Sequence, residues 1–226
     1  MNQSREISEQ LVRGIGMTSM RTRKRLIDRL RKDGIGNEKV LEVMLNTPRH
    51  LFISEALQHN AYDNTPLPIG NEQTISQPYI VALMTELLLG DRDCLDKVLE
   101  IGTGCGYQSA VLSKFAKQVY SIERIRELQL DARRLLKQLG YNNIKLMSGD
   151  GFQGWTTYQP YDGIIVTAAP HEIPQALLKQ LAHAGRLVIP VGNAEQTLRV
   201  VTRTLTGFSE TTHLPVRFVP MLQGRA

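Results

Sequence analysis

A chain of 226 residues, 42% hydrophobic and 22% charged, has the length for one compact core with an appendage and the composition of an ordinary globular protein. That argues against disordered, collagen-like, coiled-coil and disulfide-scaffold classes, and no run approaches the ~18 apolar residues of a spanning helix. The net charge of +5 is uneven: residues 1–33 hold nine Lys/Arg and four acids, so the rest of the chain sums to zero.

In chain order, residues 1–16 are polar, carry Gly14 and Gly16, and are expected to be flexible. Met1 to Glu9 has no apolar stretch of a secretory signal. Helical spacing follows over residues 21–32 and 37–46. In the first of these Leu26, Ile27 and Leu30 share one side and the cations the other. No aromatic residue is interleaved for base stacking, so a solvated helix face is favoured over a nucleic-acid contact. Pro48 ends the second helix, because the residue before a proline avoids the helical region. Residues 60–77 are rich in Pro, Gly, Asn and Thr and read as an extended loop. Residues 80–89 regain helical spacing, closed by Gly90.

From Lys97 the pattern changes. Short apolar runs at 98–101, 119–122, 144–147, 163–166 and 186–191 alternate with helical stretches at 107–116, 125–139 and 173–181, plus a looser one at 150–158. Runs without polar alternation imply strands covered on both faces, hence a parallel sheet between helices. Residues 198–205 and 216–219 read as two further strands, an antiparallel edge whose order is left open. The expectation is an α/β, doubly wound, mostly parallel sheet. Residues 17–92 supply N-terminal helices and a covering loop, and 93–226 the core, in one unit. Cys94 and Cys105 lack metal or redox spacing and read as reduced thiols of a cytoplasmic protein; no metal is expected.

The chemistry concentrates in Val98-Leu99-Glu100-Ile101-Gly102-Thr103-Gly104-Cys105-Gly106. A buried strand there runs into closely spaced glycines and then a helix, so a ligand can approach the backbone. The spacing is G-x-G-x-G, and Glu100 precedes it. A carboxylate there suits a ligand carrying an ammonium group and opposes a pyrophosphate, which disfavours a nicotinamide-dependent oxidoreductase. Glu123 ends the next strand, 21 residues after Gly102, and suits the two hydroxyls of a ribose. Asp150 ends the third strand and could accept from an adenine amino group. Each acid alone reads as a cap or a loop end. Three at successive strand ends share the carboxyl edge, where ligands bind in open α/β sheets.

This constellation resembles the S-adenosylmethionine site of Rossmann-like, class I methyltransferases. The acceptor is narrowed by what is missing. Val166-Thr167-Ala168-Ala169-Pro170-His171 is not the Asn/Asp-Pro-Pro-Tyr type of motif common in amino-group methylation of bases, and neither cysteine stands where a cytosine-C5 nucleophile would. A carboxylate acceptor, already ionised at neutral pH, needs less machinery. The runs Pro66-Leu67-Pro68-Ile69-Gly70 and Gln73-Thr74-Ile75-Ser76-Gln77-Pro78, with residues 98–110, 161–174 and 216–220, resemble the bacterial protein-L-isoaspartate O-methyltransferase family from about Met17 onward. That resemblance implies methylation of the free α-carboxylate of L-isoaspartyl residues in damaged proteins and peptides, followed by return to aspartate through a succinimide. It implies Ser76 as the active-site residue, expected to orient the acceptor and not to be a covalent nucleophile. It implies Thr74, Ile75, Glu100, Gly102, Thr103, Gly104, Gly106, Glu123, Asp150 and Gly151 as the residues around S-adenosylmethionine. Ser76 has a second reading, as cap of the helix near Pro78. The rivals are an RNA or small-molecule methyltransferase and a non-catalytic nucleic-acid module, both motivated by the basic segment.

Overall fold

The computed structural model describes residues 9–226; the first eight, half of the segment expected to be flexible, lie outside them. Glu9–Arg13 (α1) is a short helix whose end is held by side chains. The Arg23 guanidinium donates to the Val12 and Arg13 carbonyls, and His50 Nε2 lies 2.8 Å from the Leu11 carbonyl. Met20–Lys32 (α2) buries Leu26, Ile27 and Leu30 as the periodicity predicts. Arg23 is the exception on its basic side: it is buried, while Arg21, Lys24, Arg25 and Arg29 are exposed. Glu38–Asn46 (α3) starts with Asn37 Oδ1 accepting from the Val40 N–H at 3.1 Å.

Residues 60–77 are more ordered than an extended loop. Leu67–Gly70 (β1) and Gln73–Ile75 (β2) pair antiparallel, with Leu67 opposite Ile75. Asn71 and Glu72 both have positive φ (50° and 57°), as a two-residue hairpin turn of the mirror-image type requires. Proline in the first strand and no glycine at the turn removed the usual hairpin signals. Glu72 is exposed and pays the steric cost of a left-handed residue. Glu72→Gly is therefore expected to raise the melting temperature by about 2–4 °C in a thermal scan.

Pro78–Leu89 (α4) begins with proline at its first turn and is cross-linked to the turn that leads into α3: Glu86 Oε2 accepts the Gly36 and Asn37 N–H groups at 2.9 and 2.6 Å. The main sheet follows with Leu95–Ile101 (β3), Ala116–Glu123 (β4), Ile144–Ser148 (β5), Tyr161–Val166 (β6), Leu181–Gly192 (β7), Gln196–Arg203 (β8) and Phe208–Val216 (β9). Their spatial order is β5-β4-β3-β6-β7-β8-β9. The first five are parallel, and β8 and β9 return as consecutive antiparallel hairpins at one edge. Tyr107–Leu112 (α5), Arg126–Gln138 (α6) and Gln175–Lys179 (α7) complete the winding. Val98, Val119 and Val188 share one buried cluster with Leu30, Leu41 and Leu88, so the N-terminal helices and the sheet bury a single apolar interior. Leu99, Ile101, Tyr120 and Ile164 pack on the opposite face with Leu177 and Leu178.

Three boundaries differ from expectation. α5 stops at Leu112, since β4 already begins at Ala116. Residues 150–158 form two short 3-10 turns, Gly151–Gln153 and Thr156–Tyr158, separated by Gly154 at φ 63°. The last strand is Phe208–Val216 and not 216–219. Beyond Val216 the backbone is held by a side chain: Gln196 accepts from the Phe218 N–H at 2.7 Å and donates to its carbonyl at 3.1 Å. The chain is thereby released from the ladder and crosses the carboxyl edge of the sheet.

Candidate active site

Strand order reverses between β3 and β6, and ligands of open α/β sheets bind at the carboxyl ends of such neighbours. An open cleft lies there. Its walls come from the hairpin (Gln73 to Ser76), the glycine loop (Gly102 to Cys105), the end of β4 (Glu123) and the crossing tail (Val219 to Leu222). The glycine loop needs its glycines. Gly102 and Gly104 have φ of 95° and 53°, and a Cβ on Gly102 would lie 2.4 Å from Thr167 Oγ1. Thr167 closes the loop from below, its hydroxyl 2.9 Å from the Gly102 carbonyl. Glu123 closes it from the side: Oε2 accepts the Gly104 N–H at 2.8 Å and Oε1 the Ile125 N–H at 3.0 Å.

Of the residues expected around the donor, Thr74, Ile75, Gly102, Thr103, Gly104, Glu123 and Gly151 line this cleft, and so does Ser76. Three do not. Glu100 is fully buried beneath the loop. It sits on the Val98 face of β3, because side chains alternate along a strand, and so meets α5, where the Ser109 hydroxyl donates to Oε2. Oε1 is buried without a hydrogen-bond partner, and burial pushes the carboxyl up to about 8. Buried under the loop, it does not line the cleft where an ammonium group would sit. Gly106 precedes α5 at φ 89°, and a Cβ there would meet Leu136 of α6 at 3.1 Å; its role is helix packing. Asp150 uses Oδ1 for the Phe152 N–H at 2.9 Å and Oδ2 for the Gly224 N–H at 3.0 Å, so it fastens the neighbouring turn and the tail.

A second groove, lined by Tyr79, Ile80, Leu214, Pro215 and Phe218 among others, abuts the first. The two share Thr74, Ser76, Thr167 and Val219 as a common wall. Ser76 stands in that wall with its hydroxyl unpartnered among the described residues. The capping alternative is not what the structure shows: Gln77 is the N-cap of α4 and its own side chain makes no capping bond, while Asn64 Oδ1, from the preceding loop, takes the Tyr79 N–H of the first turn at 3.0 Å.

Sequence reading missed Arg49. Its guanidinium is buried, donates to the Ala61 and Ser76 carbonyls at 2.9 and 2.8 Å, and lies over the Tyr107 ring, 5.0 Å from its centre. It fixes the backbone that presents Ser76. A cation three residues past a helix end gave no signal, since its partners are carbonyls 12 and 27 residues away. Thr167, Met221 and Leu222 were likewise invisible as site residues. His171 is exposed. Desolvation pushes the Cys105 thiol up to about 11, which leaves it unsuited to nucleophilic attack.

This open α/β sheet, with a glycine-loop cleft at its switch point, defines a Rossmann-like methyltransferase. The chain belongs to the protein-L-isoaspartate(D-aspartate) O-methyltransferase family, whose profile matches residues 21–226. It is 55% identical over 219 residues to a protein-L-isoaspartate O-methyltransferase of Cellvibrio japonicus, covering 96% of this chain and 98% of the relative. It is 57% identical over 209 residues to that of Pseudomonas aeruginosa strain LESB58, covering 92% and 99%. Among solved structures, one protein-L-isoaspartate O-methyltransferase superposes with a TM-score of 0.78 at 30% identity, over 88% of this chain and 65% of that one. Another of the family, from Plasmodium falciparum and in complex with S-adenosyl-L-homocysteine, superposes with a TM-score of 0.74 at 25% identity, over 88% and 98%. Among the described residues no helix is long and apolar enough to cross a membrane, and no group of three or more His, Cys, Asp or Glu is placed to hold a metal.

Proposed function

We infer that this chain is a protein-repair enzyme that transfers a methyl group from S-adenosylmethionine to the free α-carboxylate of L-isoaspartyl residues. The observation that carries the reading is the unpartnered Ser76 hydroxyl in the wall between cleft and groove. The cleft suits the donor. Each oxygen of Glu123 accepts one backbone N–H, and a carboxylate has roughly four acceptor sites, so capacity remains for a ribose diol. Gly102 to Gly104 expose backbone to the methionine part, and Ile122, Met221 and Leu222 offer apolar walls near Gly151 for a purine ring. Asp150 acts at one remove, by fixing that end of the cleft.

S-adenosylmethionine supplies an electrophilic methyl group on a sulfonium that leaves as a neutral thioether. The acceptor carboxylate is already ionised, so no residue need remove a proton. Its oxygen forms the bond to the methyl carbon as the carbon–sulfur bond breaks, and two opposite charges disappear. Ser76 holds and orients the acceptor, Arg49 holds Ser76, and the shared wall keeps water away from the transfer. The methyl ester then closes to a succinimide, with loss of methanol, and hydrolysis returns part of it to aspartate. The free thiols Cys94 and Cys105 support a reducing, cytoplasmic setting.

The test is transfer of labelled methyl groups to a peptide pair that differs only in L-isoaspartyl against normal aspartyl linkage. Base-labile label on the isoaspartyl peptide alone is expected. Label on neither, with S-adenosylhomocysteine still bound, would return the RNA and small-molecule acceptors to contention. Glu123→Ala removes both loop contacts and the ribose partner. It is expected to raise the S-adenosylhomocysteine dissociation constant about 10- to 100-fold in calorimetric titration, since hydrogen bonds to charged groups contribute ~1.5–3 kcal/mol.

A further inference from the structure

The groove beyond Ser76 is apolar or neutral along its whole lining except at one residue, Arg217. Its base is rigid. Val216 is paired with Gln196 in the sheet, and Phe218 is bonded through both backbone groups to the Gln196 side chain. Its guanidinium end is exposed and makes no hydrogen bond or ion pair among the described residues. Arg217 also lines only the outer groove. The common wall with the donor cleft is Thr74, Ser76, Thr167 and Val219, and the reacting carboxylate must sit against that wall to meet the methyl group. The cation therefore faces what lies beside the isoaspartyl residue in the bound peptide, and not the carboxylate being methylated.

We propose that Arg217 sets a flanking-charge preference: isoaspartyl sites with an acidic neighbour are favoured over those with a basic one. The proposal rests on the repair reading above and assigns a specificity-determining residue to it. The rest of the groove, with Tyr79, Ile80, Leu214 and Phe218, offers apolar contact that accepts many sequences. A single charge on that background discriminates by sign, attracting one class of peptide and repelling the other. Because the guanidinium is exposed, the effect is modest and screened by salt.

The experiment measures kcat/KM for L-isoaspartyl peptides that are identical but for Glu, Ala or Lys at positions flanking the site, on both sides. The full chain and its Arg217→Glu and Arg217→Ala variants are compared, with S-adenosylhomocysteine titration as control for the neighbouring cleft. At low ionic strength the full chain is expected to favour the Glu over the Lys peptides about three- to tenfold. The ratio is expected to approach one in Arg217→Ala, to invert in Arg217→Glu, and to shrink at high salt. An unchanged ratio in Arg217→Glu overturns the proposal while the repair reading stands. A uniform loss on all peptides in Arg217→Ala, with the ratio kept, also overturns it and would move Arg217 onto the reacting carboxylate. Failure of the full chain to methylate any isoaspartyl peptide overturns both.

Discussion

Ser76→Ala is expected to lower kcat/KM for an L-isoaspartyl peptide about 10- to 100-fold while leaving S-adenosylhomocysteine affinity and melting temperature unchanged. The magnitude follows from removing one hydrogen bond to a charged group, ~1.5–3 kcal/mol. The selectivity follows from the structure. Were Ser76 the cap of α4, alanine would cost ~1 kcal/mol of stability. Gln77 is the N-cap instead, and the Ser76 hydroxyl has no partner to lose among the described residues. The acceptor also loses its charge during transfer, so a donor on the attacking oxygen would hold back the reaction. Ser76 serves best on the other oxygen, where it fixes the direction of attack. Steady-state kinetics, calorimetric titration and a thermal scan on the same preparations check this. An unchanged kcat/KM, or a loss traced to unfolding, would remove Ser76 from the site.

Glu100→Gln is expected to flatten the pH dependence of stability between about pH 4.5 and 8. The carboxyl is fully buried, with Oε1 unpartnered, and its pKa is raised from the ordinary 4.5 to about 8, first of all by desolvation. Below about 4.5 both folded and unfolded chains hold the proton. Between about 4.5 and 8 the unfolded chain releases it and the folded chain does not, so stability falls as pH rises. Above about 8 both have released it and this contribution is flat. The slope approaches ~1.4 kcal/mol per pH unit within that window, on the order of a few kcal/mol in all. Glutamine keeps the shape and an acceptor for Ser109 without the titration. Urea unfolding at pH 5, 7 and 9 should show the two proteins converging at pH 5 and the variant more stable at pH 9. Parallel profiles would mean that Glu100 is ionised in the folded protein.

Both results turn on where a side chain points, and there the sequence was least informative. Glu100 and Glu123 stand at or next to the ends of adjacent strands and read alike. Glu100 pairs with Ser121 across the sheet, so both acids lie on one face, but Glu123 stands two residues further along its strand. Glu100 is packed beneath α5 while Glu123 reaches the loop edge, and only the register of the two strands separates them. Asp150 lies at the expected edge, but the tail reaches back to occupy Oδ2 from 74 residues away. The β1–β2 hairpin went unread because its strands are three or four residues long, one holds a proline, and the turn has no glycine. β9 went unread because it is exposed along most of its length and carries no apolar alternation.

The sequence by itself determined the alternation of buried strands and helices, the glycine loop, the acids at the strand ends and the Gln73 to Pro78 run. These are local patterns, written in periods of two and 3.6 residues or in contiguous motifs, and they led to the fold class and the family. The tertiary structure decided what long-range contacts decide. Arg49 binds carbonyls on two later segments, Thr167 supports a loop 65 residues earlier, and the tail crosses three strand ends. It also set the wall in which Ser76 is shared by two cavities. Such contacts join backbone groups that any residue possesses, so no residue type along the chain announces them.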